Sequence, residues 1–288
     1  MDCLVKVVKP TISNQNIITN KEAIKADIIL SFVHEQRKLM PRIGTRKLHH
    51  LMDKQLPENL QLGRDAFFDL LRDNHLLIRP RRSCIRTTFS NHWLHKYPNL
   101  IRDFIPHKAH QLWVSDITYL KTDEGFVYLC LITDAYSRKI VGWSIGDTLE
   151  AKHAVLALRM ALKQLPANAT KLIHHSDRGI QYCSAKYVKI LKKNEIKISM
   201  TENGDPLENA IAERVNGVLK SEWINDLRLK NHQDARKEVD RIINIYNKCR
   251  PHTSINMMTP ANAHLMEGEI LRLWKNYYKQ RSNILTGS

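Results

Sequence analysis

Three acidic side chains sit where their surroundings suggest metal-assisted chemistry on phosphate. Asp116 lies in the middle of Trp113-Val114-Ser115-Asp116-Ile117-Thr118-Tyr119, an apolar run that reads as a strand. An acid there is costly to bury unless a charge partner or a metal offsets it. Asp177 closes a second strand-like run, His174-His175-Ser176-Asp177, shortly before Gly179. That is the carboxyl end of a strand, where open α/β sheets gather their sites. Glu213 belongs to a helical pattern in which Asn209, Glu213, Asn216 and Lys220 form one polar stripe, while Ile211, Val215, Val218 and Leu219 take another face. By itself that stripe reads as a solvated helix face. Together, two strand aspartates and one helix glutamate could hold two Mg²⁺ ions through oxygen ligands and leave room for water and phosphate oxygens. Such a pair activates an attacking oxygen and stabilises the leaving one in an in-line displacement at phosphorus.

The elements that must position these acids can be read from periodicity. Leu112 to Leu120, Phe126 to Thr133 and Lys139 to Ile145 read as three strands joined by short turns, an antiparallel meander. Glu150 to Gln164 reads as a helix with Ala154, Leu158, Ala161 and Leu162 inward. A strand at Leu172 to His175, a helix at Ser184 to Asn194 and a strand at Ile196 to Met200 follow. Asn203-Gly204-Asp205-Pro206 is a turn that starts the Glu213 helix near Leu207. This alternation predicts an α/β sheet ordered like the ribonuclease H-like fold, with the Glu213 helix packed across it. Beyond it, Val239, Ile242, Ile243 and Tyr246 predict a helix that Arg250-Pro251 stops, and Thr259-Pro260 starts a short one.

Ahead of the sheet the pattern is helical. Lys21 to Arg37 carries Ile24, Ile28 and Phe32 at helical spacing, and Pro41 and Gly44 break the chain. Thr45 is placed to cap a second helix with Leu48, Leu51 and Met52 inward and Arg46, Lys47, His49 and His50 outward. Arg64 to Asp73 is a third, with Phe67, Phe68, Leu70 and Leu71 inward. Short helices with basic faces suit a helix-turn-helix that reads DNA, and equally a small bundle used for packing. From Arg79 to Arg102 there is no acidic residue, while Arg79, Arg81, Arg82, Arg86, Lys96 and Arg102 are interleaved with Phe89, Trp93 and Tyr97. An extended linker tracking a phosphate backbone fits that charge, as does a solvated interdomain linker.

Composition points the same way. Forty-five Lys and Arg against 29 Asp and Glu leave a formal charge of +16, which calls for a polyanionic partner. Five scattered cysteines with no Cys-x-x-Cys spacing read as free thiols, which excludes a disulfide framework and a zinc cluster. No apolar run reaches 18 residues, so a membrane span is not expected and the cytoplasm is the expected compartment. Several other groups invite a role but read as structural. His174 and His175 suit packing or DNA contact more than Mg²⁺, and Asp134 suits a turn cap or ion pair. Trp113 and Trp223 suit the core. Ser115 and Ser176 lack the arrangement a nucleophile needs.

Four separated motifs carry a resemblance. Trp113 to Tyr119, His175 to Tyr182 (His-Ser-Asp-Arg-Gly-Ile-Gln-Tyr), Glu208 to Glu222 and Tyr246 to Thr253 (Tyr-Asn-Lys-Cys-Arg-Pro-His-Thr) resemble, in order and spacing, the integrase core of bacterial insertion-sequence transposases. The similarity is to the second-reading-frame catalytic protein of the IS-three family, in the DDE superfamily with retroviral integrases. It implies a catalytic and metal-binding triad of Asp116, Asp177 and Glu213, with Lys220 touching the DNA end. It also implies two Mg²⁺ ions, with Mn²⁺ able to substitute. Gly44 to His49, Arg64 to Arg72 and the run from Arg79 to Arg82 resemble the family's helix-turn-helix region. The organisation implied is an N-terminal segment (1–20), a helix-turn-helix-like module (21–78), a basic linker (79–106), a ribonuclease H-like integrase core (107–226) and a helical extension (227–288). The activity implied is cleavage at a transposon end and strand transfer into double-stranded DNA, through a bridged intermediate and an excised circle. Also implied are a homo-oligomer on DNA and a first-reading-frame partner or fusion. Two other readings compete: a ribonuclease H-like nuclease that stops at hydrolysis, and a DNA-binding regulator with a silent core.

Overall fold

The computed structural model describes residues 12–79, 93–167, 169, 171–202 and 209–271. They fall into two compact units, one ending at residue 80 and one beginning at 81.

The first unit is helical: α1 spans Ile12–Leu39, α2 Thr45–Gln55 and α3 Arg64–Asp73. Helix α1 begins well before residue 21, and its buried stripe is Ile29 and Val33, with Met40 buried just past its end and Ile24 and Ile28 exposed. Both stripes obey helical spacing, so periodicity could not choose between them. The packing partners do, because α2 and α3 bring Leu48, Leu51, Met52, Phe67 and Leu71 into the same core. Phe68 and Leu70 lie only half-buried. Gly44, rather than Thr45, is the N-cap, and Thr45 is buried in the first helical turn. Arg37 donates to the Leu76 carbonyl at 2.6 Å and Lys25 to the Gln61 carbonyl at 2.8 Å, tying α1 to the loops beyond it.

The second unit is built on one sheet. Strands β1 (Leu112–Thr122), β2 (Gly125–Asp134) and β3 (Ile140–Gly146) form the expected antiparallel meander. Strands β4 (Ile173–Ser176) and β5 (Lys197–Met200) add in parallel, giving the order β3-β2-β1-β4-β5. Alternation along β1 divides the core. Trp113 faces α4 (Ala151–Leu162) and α6 (Ala185–Lys193), in a cluster with Ile132, Val141, Leu158, Tyr187 and Leu191. Leu112 and Val114 face the other way, against Ala212 of α7 (Ala210–Glu222). Helix α8 (His232–Lys248) buries Val239, Ile242, Ile243 and Tyr246 as the spacing required. The short α9 (Pro260–Ala263) begins with the Thr259 side chain accepting from Asn262 N–H. A brief helix, α5 (Ile180–Cys183), was not foreseen, and the turn at residues 203–206 lies outside the described residues. Three antiparallel strands, two parallel additions and helices on both faces make the unit ribonuclease H-like.

Close packing of α4 on the sheet depends on Gly142, where a Cβ would stand 2.3 Å from the Ala157 carbonyl oxygen. A backbone atom inside the helix cannot step aside. Gly142→Ala is therefore expected to destabilise the protein by about 1–3 kcal/mol. Urea denaturation checks it, and an unchanged midpoint would mean that α4 slides along the sheet at little cost.

Candidate active site

The ladder between β1 and β4 ends at Ser115 opposite Ser176. The next residue along each chain is Asp116 and Asp177, the latter just past the end of β4, so both acids stand where the parallel ladder ends, near enough for the charge of Asp177 to act on Asp116. Asp177 then turns the chain, its Oδ1 accepting Gly179 N–H at 3.0 Å. Past Ser115 the ladder with β4 stops, and α7 runs along β1 instead. Asn209 donates its amide to the Ser115 carbonyl at 3.0 Å, and Asn216 donates to Asp116 Oδ2 at 2.8 Å. Glu213 lies between these two amides on the same helical stripe, four residues after one and three before the other. It is exposed, in the first turn of the helix.

Electrostatics follow from this placement. Burial pushes the Asp116 carboxyl up to about 7, and the negative charge of Asp177 pushes in the same direction, with Glu213 adding to it. The Asn216 amide and Ile117 N–H, the latter at 2.9 Å from Oδ1, pull the other way. Both charges acting on Asp116 are thus acidic and both opposing groups are neutral donors. Asn216 Oδ1 is buried with no hydrogen-bond partner. An all-oxygen set of this kind, crowded with like charge, suits a hard divalent cation. Among the described residues no group of three or more His, Cys, Asp or Glu is arranged as it stands to hold a metal ion.

The groups read as structural from sequence are structural. His174 is buried, bonded to Ser115 Oγ at 2.7 Å and the Tyr187 hydroxyl at 2.8 Å, and burial pushes it down to about 3. Asp134 caps its turn, accepting from Ser137 N–H, Ser137 Oγ and His110 N–H. Trp113 and Trp223 are core residues. Glu222 forms a bidentate pair with Arg250, at 2.6 and 2.7 Å. Glu222 is thus held in an ion pair away from the Glu213 stripe, and Glu208 lies outside the described residues.

Lys220 holds its ammonium 4.3 Å from the centroid of the Tyr119 ring. Of the other basic residues singled out, Arg46 and Arg79 are exposed and Lys47 half-buried in the first unit, and Arg81, Arg82 and Arg86 lie outside the described residues. Asn209 and Asn216 belong to the stripe that by itself reads as a solvated face; both are instead buried, each donating to β1.

An integrase core of the ribonuclease H-like class is what this sheet and its carboxylates define. Models of the integrase core domain match residues 106–206 and 194–260. The chain is 37% identical over 221 residues to an IS600 insertion-element 31 kDa protein of Shigella sonnei, covering 76% of this chain and 79% of that one. It is 34% identical over 220 residues to the transposase of insertion sequence IS629 from Shigella sonnei, covering 76% and 73%. The magnesium-bound catalytic core of HTLV-2 integrase overlays with a TM-score of 0.44 at 18% identity, over 57% of this chain and 99% of that one. The chain belongs to the IS-three family of insertion-sequence transposases, enzymes of the DDE superfamily. Among the described residues no helix is long and apolar enough to cross a membrane.

Proposed function

We propose that this transposase cleaves and joins DNA at the ends of an insertion sequence with Asp116, Asp177 and Glu213 as its catalytic carboxylates. The observation that supports the assignment is the Ser115 to Ser176 register, beyond which Asp116 and Asp177 follow on their two chains, together with Asn209 and Asn216, which tie the helical stripe that carries Glu213 to Ser115 and Asp116. The three carboxylates would hold two Mg²⁺ ions, or Mn²⁺ in their place. When bound, these supply Lewis acidity at the scissile phosphate and lower the pKa of the attacking water or 3′-hydroxyl.

The protein's own part is positioning and proton control. Ile117 N–H and Asn216 take one lone pair from each Asp116 oxygen, so the remaining pairs are fixed in direction. Gly179 N–H does the same for Asp177. Asp116, raised to about 7 by burial and by Asp177, would have to be ionised to hold a cation. Glu213, on the solvent side, approaches from where DNA must enter. Lys220, two turns along the same helix, would meet a phosphate of the DNA end. Double-stranded terminal repeats and target DNA are the substrates in this reading, bound by a homo-oligomer. Arg46, Lys47, Arg79, Arg81, Arg82 and Arg86 contribute phosphate contacts, and a first-reading-frame protein supplies further end recognition.

Glu213→Gln is expected to lower Mg²⁺-dependent cleavage and joining of end DNA by about 10³-fold while leaving the fold intact. Glu195→Gln, exposed in the turn before β5 at the far end of the sheet, is the control. Equal activity in the two variants would remove Glu213 from the assignment. Retained cleavage with no joining, in wild type, would favour the hydrolytic reading.

A further inference from the structure

The second half of the basic stretch ahead of the sheet packs as part of the sheet's own unit. It wraps the outer edge of β5, the last strand in the order. Leu94 and Tyr97 pack against the cluster that holds Ile198 and Met200, on the face covered by α4 and α6. The chain then crosses the edge: the Pro98 carbonyl accepts Met200 N–H at 3.3 Å, and Leu100 N–H donates to Ser199 Oγ at 2.9 Å. Ile101 and Phe104 finish on the opposite face, against the cluster of Leu112, Val114 and Ala212. A bare outer strand is open to pairing with another chain, so edge cover by itself accounts for a strap here. It does not account for where this strap is fastened.

The fastening lies at the end of the sheet where the acids stand. Thr201 N–H donates to the Ser176 carbonyl at 3.0 Å, which carries the β4 to β5 pairing just past the strands, and Asp177 follows Ser176. Glu202 comes next after Thr201. Its Oε1 accepts Asn99 N–H at 2.9 Å and its Oε2 accepts from Arg102 Nη2 at 3.1 Å, so one carboxylate grips the strap at two points. Asn99 Oδ1 accepts Ile101 N–H at 3.0 Å and fixes the turn between them. Ala212, in the cluster that Ile101 and Phe104 cover, lies in the first turn of α7 immediately before Glu213. The strap therefore meets both the strand ends beside Asp177 and the start of the helix that carries Glu213.

Resting on the proposed assignment of the carboxylates, we infer that residues 97–104 set the position of α7 and thereby place Glu213, with Phe104 and the Arg102 to Glu202 pair as positioning residues. They act through the helix and touch no reacting atom. The Arg102 and Glu202 side chains are 66% and 32% exposed, so the pair adds little to global stability and its loss is felt locally. A local loss matters here because misplacing a reacting group by about 1 Å costs about a hundredfold in rate.

The test compares full-length Glu202→Gln, Arg102→Gln and Phe104→Ala with wild type, by amide hydrogen exchange and by Mg²⁺ titration of end-DNA cleavage. Each variant is expected to speed exchange of the α7 amides several-fold and to raise the half-saturating Mg²⁺ concentration by about threefold or more. The melting temperature of Glu202→Gln should stay close to that of wild type. Because Arg102 acts through Glu202, joining the two glutamine substitutions should add nothing to either alone. Unchanged α7 exchange in both Glu202→Gln and Phe104→Ala would reduce the strap to an edge cover and overturn the inference. So would a loss confined to Arg102→Gln, which would mean that the arginine serves DNA instead. If Phe104→Ala melts globally, Glu202→Gln decides. Failure of the carboxylate assignment shows separately, as cleavage that survives Asp116→Asn while the exchange effects remain.

Discussion

Asp116→Asn is expected to abolish cleavage and strand transfer and, in metal-free buffer at pH 8, to raise the melting temperature of the protein by several degrees. The two effects share one cause. In the fold the Asp116 carboxyl is raised from the ordinary 3.8 to about 7 by burial and by Asp177. The folded state therefore binds a proton more tightly than the unfolded chain does. The stability associated with that proton is fully present below pH 4 and is lost as pH rises through 7. Above that, the ionised group opposes folding by on the order of 4 kcal/mol, an upper figure. Asparagine never ionises. Its oxygen can keep the Ile117 N–H, and if the Asn216 amide turns over, the unpartnered Asn216 Oδ1 accepts from the new NH₂. Loss of a metal carboxylate removes several kcal/mol of transition-state stabilisation, about 10³-fold or more in rate. The check is a pair of thermal melts in chelator. The variant's advantage should be large at pH 8 and vanish near pH 4, and Mg²⁺ should stabilise wild type more than the variant. An equal or lower melting temperature for Asp116→Asn at pH 8 would show that Asp116 is not held under electrostatic strain.

Arg250→Met is expected to be among the most destabilising single changes in the second unit, by about 3–5 kcal/mol. Arg250 is 2% exposed and its guanidinium grips both Glu222 oxygens, Nε at 2.7 Å and Nη2 at 2.6 Å. It also donates to the Pro251 carbonyl and lies over the Tyr246 ring. The pair joins the last turn of α7 to the segment that leaves α8. Removing the arginine leaves a largely enclosed carboxylate without its charge partner, which is worse than having neither. Combining Arg250→Met with Glu222→Gln should therefore recover most of the loss, and a double-mutant cycle in urea measures it. Because α7 carries Glu213 and Asn216, activity should fall with stability and return in the double variant at low temperature. A loss below about 1 kcal/mol in Arg250→Met would mean the pair is solvated and holds nothing.

These two residues also show how far the sequence could be read. Asp116 was legible because a lone acid in an apolar strand has few explanations, and the resemblance to integrase cores agreed with it. Arg250 stood inside a motif that carried the resemblance, yet its work is structural. Nothing in Tyr246 to Thr253 announces a partner 28 residues upstream on another helix. The strands β1 to β3, the helix α4 and the buried stripe of α8 were readable from local period alone. The stripe of α1 was not, since Ile24-Ile28 and Ile29-Val33 have the same spacing and only α2 and α3 decide which is covered.

The sequence alone determined the order of elements, the basic character of the chain and three acids, one within a strand, one at the end of a strand and one on a helix. These depend on neighbours within a few residues, where hydrophobic period and turn chemistry act. Only the tertiary structure decided that Ser115 pairs with Ser176, that Asn209 and Asn216 lock α7 along β1, and that Lys220 rests on Tyr119. Those contacts join segments separated by about sixty to a hundred residues, and the physical reason they escape the sequence is that register between strands and helices is settled by packing all of them at once.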